Sequence, residues 1–143
     1  MILSLRFDSM PCHEIFSALA HRSNAIAAFA RIGETREQCD KRYGKVTASP
    51  LEHEGIQYLA YRVHGFAVDL NIIASKCEKI KYIKEDYGML AKEEIEALLS
   101  ENGTGWQQVS KREWKNQQSS AKVSAKYLVI TSKVFQKHVA AKR

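Results

Sequence analysis

From Ile56 to Lys84 apolar and polar positions alternate with a period of two, interrupted only by short turn-like pieces, and this predicts a meander of three β-strands. In the first run, Ile56 to Val63, the residues Gln57, Leu59, Tyr61 and Val63 fall on one face and Ile56, Tyr58, Ala60 and Arg62 on the other. His64-Gly65 supplies the turn, its glycine free to take the positive φ of a tight hairpin. In the second run, Phe66 to Ile73, the residues Phe66, Val68, Leu70 and Ile72 share a face. The reverse face, with Ala67, Asp69, Asn71 and Ile73, is mostly polar and suits a sheet wet on one side. Ala74-Ser75-Lys76 turns the chain again. The third run, Cys77 to Lys84, places Ile80 and Tyr82 on alternate faces among Lys79, Lys81 and Lys84, a lysine density that predicts a solvated or edge strand with a small share in the core.

Helical signals flank the meander. Thr35 is a good N-cap, Gln38 completes a capping box, and Gly44 offers a left-handed stop after Tyr43, so a short helix is expected with Cys39 and Tyr43 turned inward. Lys45 to Gly55 reads as a loop, with a short extended piece at Val46. Beyond the turn at Glu85-Asp86-Tyr87-Gly88, Lys92 to Glu101 carries the stripe Ile95, Leu98, Leu99 of a second helix, ended by Asn102-Gly103. Glu93, Glu94 and Glu96 lie early in it, where acids favour the helix dipole. Trp106 to Trp114 and Lys122 to Thr131 read as two further strands joined through the polar Asn116 to Ser120 turn. Ser132 caps a terminal helix carrying Val134, Phe135 and Val139. The expectation is an α+β fold: an antiparallel sheet of about five strands, meander plus C-terminal hairpin, with two or more helices on one face.

The first thirty residues stand apart. Ile15, Phe16, Leu19, Ile26 and Phe29 suit an amphipathic helix beginning near Pro11, whereas Ala28-Phe29-Ala30 has the form of an export cleavage site whose apolar core is interrupted by Asp8, His13, Glu14, His21 and Arg22. The chain therefore divides into residues 1–30, an N-terminal helix or vestigial signal-like segment, and residues 31–143, a single α+β domain. Export or a periplasmic location follows if the first segment is a degenerate signal, and a cytoplasmic one otherwise. No run approaches the about eighteen apolar residues of a transmembrane helix.

Charge alters this picture at one end. The 143 residues are 45% hydrophobic and 27% charged, ordinary for one globular core, but the formal charge of +6 is uneven. From Thr104 onward nine lysines and arginines face Glu113 alone, a net +8 that leaves −2 for the remainder. If this third of the chain meets nucleic acid or another anion, the candidate contacts are Lys111, Arg112, Lys115, Lys122 and Lys126. Lys122 and Lys126 fall on one side of their strand, and Trp106, Trp114 and Tyr127 are candidates to stack bases beside them. Two competing expectations are a lysine face that serves solubility alone and tryptophans that cover a hydrophobic sheet face.

Little else carries chemistry. Cys12, Cys39 and Cys77 have no CxxC spacing and read as small buried hydrophobes. His13, His21, His53, His64 and His138 are scattered without an i, i+4 partner, so no metal site is indicated. Pairing Cys39 or Cys77 with His53 or His64 is formally open as a nucleophilic couple but lacks any local signature, and a pocket joining Asp69, His53 or Cys77 would be needed to favour an enzyme. The glycines form neither a dinucleotide fingerprint nor a phosphate loop, so no cofactor is implied.

The order of a capped helix opened by Gly33-Glu34-Thr35-Arg36-Glu37-Gln38, then Tyr43-Gly44-Lys45, a meander, the Lys84-Glu85-Asp86 turn and the Glu93-Glu94-Ile95-Glu96-Ala97-Leu98-Leu99 helix resembles small exported bacterial proteins. Over about Ile32 to Gly103 it is similar to the helix-plus-meander unit of SmpA/OmlA-type outer-membrane assembly lipoproteins and of β-lactamase inhibitor protein. Cys12 lacks the apolar context of their lipid-anchoring cysteine, and Ala91 stands where their second helix has a serine or threonine cap. The resemblance implies a helix-backed antiparallel sheet used as a protein-binding surface, and it carries over no functional residue. A non-enzymatic protein-interaction module, envelope-associated or exported, is the leading expectation. A nucleic-acid-binding protein and a small enzyme are the alternatives.

Overall fold

The structure, a computed structural model, describes residues 31–44, 46–47 and 50–143. The expectations for residues 1–30 therefore lie outside the described residues. Eight strands form one antiparallel sheet in the order β1-β2-β3-β4-β8-β7-β6-β5. They are β1 (Leu51–His53), β2 (Ile56–Val63), β3 (Phe66–Ile73), β4 (Lys76–Lys84), β5 (Gln107–Ser110), β6 (Glu113–Lys115), β7 (Ser119–Val123) and β8 (Tyr127–Ser132). The described helices are α1 (Arg36–Tyr43), α2 (Lys92–Glu101) and α3 (Lys133–Ala141).

The α+β class and the antiparallel sheet agree with the sequence, but the sheet has eight strands where about five were expected. Three turns account for the difference. Leu51 pairs with Tyr58 across Glu54-Gly55, adding β1. The expected strand Trp106 to Trp114 folds back at Lys111-Arg112, and Lys122 to Thr131 breaks at Ser124 to Lys126. Neither of those two turns contains glycine, proline or asparagine, the residues that mark a turn by their own backbone preference. The Asn116 turn does: the Asn116 carboxamide Oδ1 accepts from the backbone N–H of Gln118 at 2.9 Å and of Ser119 at 2.7 Å.

The core lies between one sheet face and α1 with α2. Leu59 and Tyr61 of β2, Val68 and Leu70 of β3, Ile80 and Tyr82 of β4, and Leu128 and Ile130 of β8 line that face against Cys39 of α1 and Ile95, Leu98 and Leu99 of α2. The solvated, edge-like reading of β4 is corrected: it pairs with β3 on one side and β8 on the other, and Ile80 and Tyr82 are both fully buried. Being two residues apart they share the core face and do not alternate, while Lys79 and Lys81 occupy the reverse face. The edge is removed by β8, whose partner lies some fifty residues earlier in the chain.

Local chemistry fixes the two core helices. In α1, the Thr35 Oγ1 accepts from Gln38 N–H at 3.3 Å, Gln38 Oε1 accepts from Thr35 N–H at 2.8 Å, and Gly44 follows at φ 83. In α2, Ala91 has no capping side chain, and Glu94 reaches back instead: its Oε1 accepts from Ala91 N–H at 2.8 Å and from the Lys84 ammonium at 3.3 Å. The segment before α1 is tied to the sheet by Gly33 N–H to Cys77 O and Cys77 N–H to Glu34 O, each 2.7 Å.

Candidate interaction face

The sheet face turned away from α1 and α2 carries the other half of the strand register in rows. One row runs Ala60, Asp69, Lys81, Val129, Lys122, Glu113, and the next runs Tyr58, Asn71, Lys79, Thr131, Ser120, Lys115. α3 crosses the second row. Its Phe135 ring lies 5.1 Å from the Lys79 ammonium, Gln136 donates to Ser120 Oγ at 2.8 Å, and His138 Nε2 meets the Glu54 carbonyl at 2.7 Å. The Ser132 hydroxyl caps this helix by accepting from Phe135 N–H at 3.0 Å. The expected wet face is thus wet only in part: Asn71 and Ile73 are buried and Asp69 half-buried. Over β6 to β8 it stays open, with Lys115 and Lys122 exposed and Tyr127, Val129 and Thr131 half-buried.

Beside α3 this open half forms a groove of about 480 Å³ lined by Glu113, Ser120, Ala121, Lys122, Ser124, Tyr127, Val129, Thr131 and Gln136. The Lys81 ammonium lies 4.3 Å from the Tyr127 ring. Desolvation holds the Asp69 carboxyl above the usual carboxylate range, against the opposing pull of Lys81. A second, polar cleft of about 670 Å³ lies at the Asn116 end of β6, lined by Gly103, Thr104, Gly105, Gln107, Lys115, Asn116, Gln117 and Gln118. Lys115 is its one ionisable wall residue, so it has a cation but no acid or base to pair with it.

The five sequence-selected cations are not all on this face. Lys115 and Lys122 point the same way on neighbouring strands. Lys111 and Arg112 sit in the β5–β6 turn and Lys126 in the β7–β8 turn, at the same end of the sheet, where Val123 N–H donates to Arg112 O at 2.9 Å. The tryptophans are committed to the core side: Trp106 Nε1–H donates to Leu99 O at 2.7 Å, and both Trp106 and Trp114 pack partly buried against the core. They leave no pair of free aromatic faces for bases, and the expectation that they cover a sheet face is the one the structure supports.

Before Thr104 five of the ten described lysines and arginines are matched by acids, and Lys41, Lys76, Lys79, Lys81 and Lys92 form no ion pair among the described residues. Arg31 pairs with Glu101, Arg36 with Asp40, Arg42 with Glu34, Arg62 with Glu85 and Lys84 with Glu94. Among the described residues, none of the nine lysines and arginines after Thr104 forms an ion pair with an acid, not even Lys122 with Glu113 opposite it.

The groups considered for enzymatic chemistry are dispersed. Cys77 is buried on the core face, where desolvation and then the neighbouring Cys39 raise its thiol well above the ordinary value. Burial, followed by Glu34 and Asp40, pushes the Cys39 thiol up to about 12. Both thiols are thereby kept protonated and poorly nucleophilic. Asp69 is on the opposite face, and His53 is exposed on edge strand β1 beside Glu54. The described residues hold no cluster of three or more His, Cys, Asp or Glu able to take a metal ion, and no described helix is long and apolar enough to cross a membrane. Compared with family models, curated protein sequences and solved structures, the chain finds no match.

Sequence reasoning located the cations but missed the row they form with β4. Lys79 and Lys81 join Lys115 and Lys122 through the β4–β8 pairing, which no local pattern announces. The alternation of lysines with Ile80 and Tyr82 was the available signal, since period two puts those lysines opposite a buried pair.

Proposed function

We propose that the protein is a non-enzymatic interaction module that binds a protein partner through the sheet face opposite α1 and α2. The observation that carries this reading is the contrast in charge pairing among the described residues: five of the ten lysines and arginines before Thr104, all four arginines among them, pair with acids, whereas none of the nine after it does. A cation without a partner within the molecule is free to steer and orient an acidic one. The half-buried Tyr127 and Val129 beneath these cations add contact area that a purely solubilising lysine face does not need.

The resemblance to exported proteins makes the envelope the first place to search. A photo-crosslinking residue at position 122, compared with one at the exposed Glu96 on α2, tests the reading directly in cells. We expect a discrete crosslinked protein from position 122, lost when Lys115→Glu is added. Crosslinks arising only from position 96, or from both positions equally, would overturn it.

A nucleic-acid role is the second reading, favoured by the turn-tip cluster of Lys111, Arg112 and Lys126 at one end of the sheet. Anisotropy with single-stranded and duplex oligonucleotides at low and moderate salt checks it, and undetectable or salt-insensitive binding would exclude it.

A further inference from the structure

Resting on the interaction-module reading, we infer that the groove beside α3 receives an extended, acidic peptide segment of the partner, with a carboxylate of that segment seated on Lys122. The groove is an open trough of about 480 Å³, too small for a folded domain and wide enough for a few residues of extended chain. Its wall chemistry is that of a peptide site. Lys122 provides the charge, Tyr127 and Val129 provide apolar floor, and Ser120, Thr131 and Gln136 provide donors and acceptors for a main chain. Gln136 already holds Ser120 at 2.8 Å, so the α3 wall is fixed to the strand that carries Lys122.

Charge complementarity selects acid over base: Lys122 forms no ion pair among the described residues, even with Glu113 opposite it, and the surrounding last third of the chain is basic. Glu113 selects peptide over nucleic acid. It stands directly across from Lys122 and lines the same groove, so a sugar–phosphate chain would bring a phosphate against it. A peptide offers backbone N–H groups to Glu113 and a carboxylate to Lys122, satisfying both.

The probe is a fluorescein-labelled peptide alternating glutamate with valine and phenylalanine, titrated with the full chain. Two comparison probes are the same peptide with glutamine for glutamate and a single-stranded oligonucleotide. We expect the acidic peptide to bind in preference to both, to weaken as salt rises, and to lose about tenfold in affinity with Lys122→Glu, a loss near that of one charge-assisted contact. Lys122→Ala should lose less, and Lys41→Glu on the exposed side of α1 should change nothing. Lys122 is exposed, so its variants should keep the wild-type circular dichroism and melting midpoint. Equal binding of the glutamine peptide, indifference to Lys122→Glu, or preference for the oligonucleotide would overturn the inference. If the peptide fails while position 122 still crosslinks to a protein in cells, only the peptide inference falls and the interaction-module reading stands.

Discussion

At the scale of single residues, Asn102 does more than end a helix. Its side chain is buried between the core helices and the sheet. Nδ2 donates to the Tyr82 hydroxyl at 3.0 Å and to Leu98 O at 2.9 Å, and Oδ1 accepts from Ile32 N–H at 2.9 Å. One carboxamide thus joins the segment before α1, the end of α2 and the centre of β4, three pieces far apart in sequence. Asn102→Ala should cost about 1–3 kcal/mol in urea unfolding, since it removes three hydrogen bonds, two of them buried. Loss confined to surface-mutation size, a few tenths of that, would show the network to be dispensable. Asp69 offers the opposite case. Its carboxyl is raised by burial, so the folded state disfavours the ionised form, and its contribution to stability falls as pH rises through the carboxylate range. Asp69→Asn should therefore raise the melting midpoint at neutral pH, with the advantage closing as the solution is acidified. A midpoint that drops at neutral pH would show that the attraction of Lys81 outweighs desolvation.

At the scale of elements, the hairpins differ in how well their turns fit. Two-residue connections that match strand twist need positive φ at both central residues, and Glu54-Gly55 and His64-Gly65 put glycine in the second place. The β3–β4 turn instead holds Ala74 at φ 51 and Ser75 at φ 70, both in the left-handed region without a glycine. Ala74→Asn with Ser75→Gly should stabilise the protein by about 1–2 kcal/mol in chemical denaturation, because each left-handed alanine-like residue costs roughly 1–2 kcal/mol. An unchanged midpoint would mean that neighbouring contacts already relieve the strain. α3 is amphipathic yet has no buried residue, and beside the Gln136 bond to Ser120 it is held by His138, which ties it to the β1–β2 turn. His138→Ala should speed amide exchange in α3 while leaving that of β3 and β4 unchanged.

These same elements show what the sequence makes legible. β2 and β3 were readable to the residue, because Leu59, Tyr61, Val68 and Leu70 recur with a period of two among smaller or more polar neighbours and His64-Gly65 punctuates them. α1 and α2 were readable from the Thr35 and Gln38 box and the Ile95, Leu98, Leu99 stripe. The β5–β6 and β7–β8 turns were not, since Lys111-Arg112 and Ser124-Ala125-Lys126 hold no glycine, proline or asparagine, and the lone Ser124 is a weak turn signal. The candidate face was legible only as a list of cations. Its grouping depends on β4 meeting β8, and the exclusion of Trp106 depends on a hydrogen bond to Leu99, both of them long-range choices that lie beyond a local pattern.

At the scale of the whole molecule, the two faces of the sheet should respond differently to alkali. The core face buries four groups that lose a proton on ionising: Cys39, Cys77, Tyr61 and Tyr82. Desolvation is the leading cause that raises each of them. Tyr61 is raised further by donating to Asp40 Oδ1 at 2.5 Å, and Cys77 further by the charge of Cys39. In the unfolded chain the thiols ionise near 9.0 and the phenols near 10.0. Above those values the unfolded state has released protons that the native state still holds, so it binds fewer of them and stability must fall with pH. The stabilisation by these groups is fully present below about pH 9, and each additional proton retained only by the fold steepens the decline by about 1.4 kcal/mol per pH unit. For Cys39 the loss continues until its folded-state value of about 12. Urea midpoints taken from pH 7 to 11 should therefore be level to about pH 9 and then drop. The double variant Cys39→Ala and Cys77→Ala, though less stable throughout, should begin its drop about one unit higher, where only the tyrosines remain. Coincident onsets in the two proteins would mean that the thiols do not control the alkaline limb.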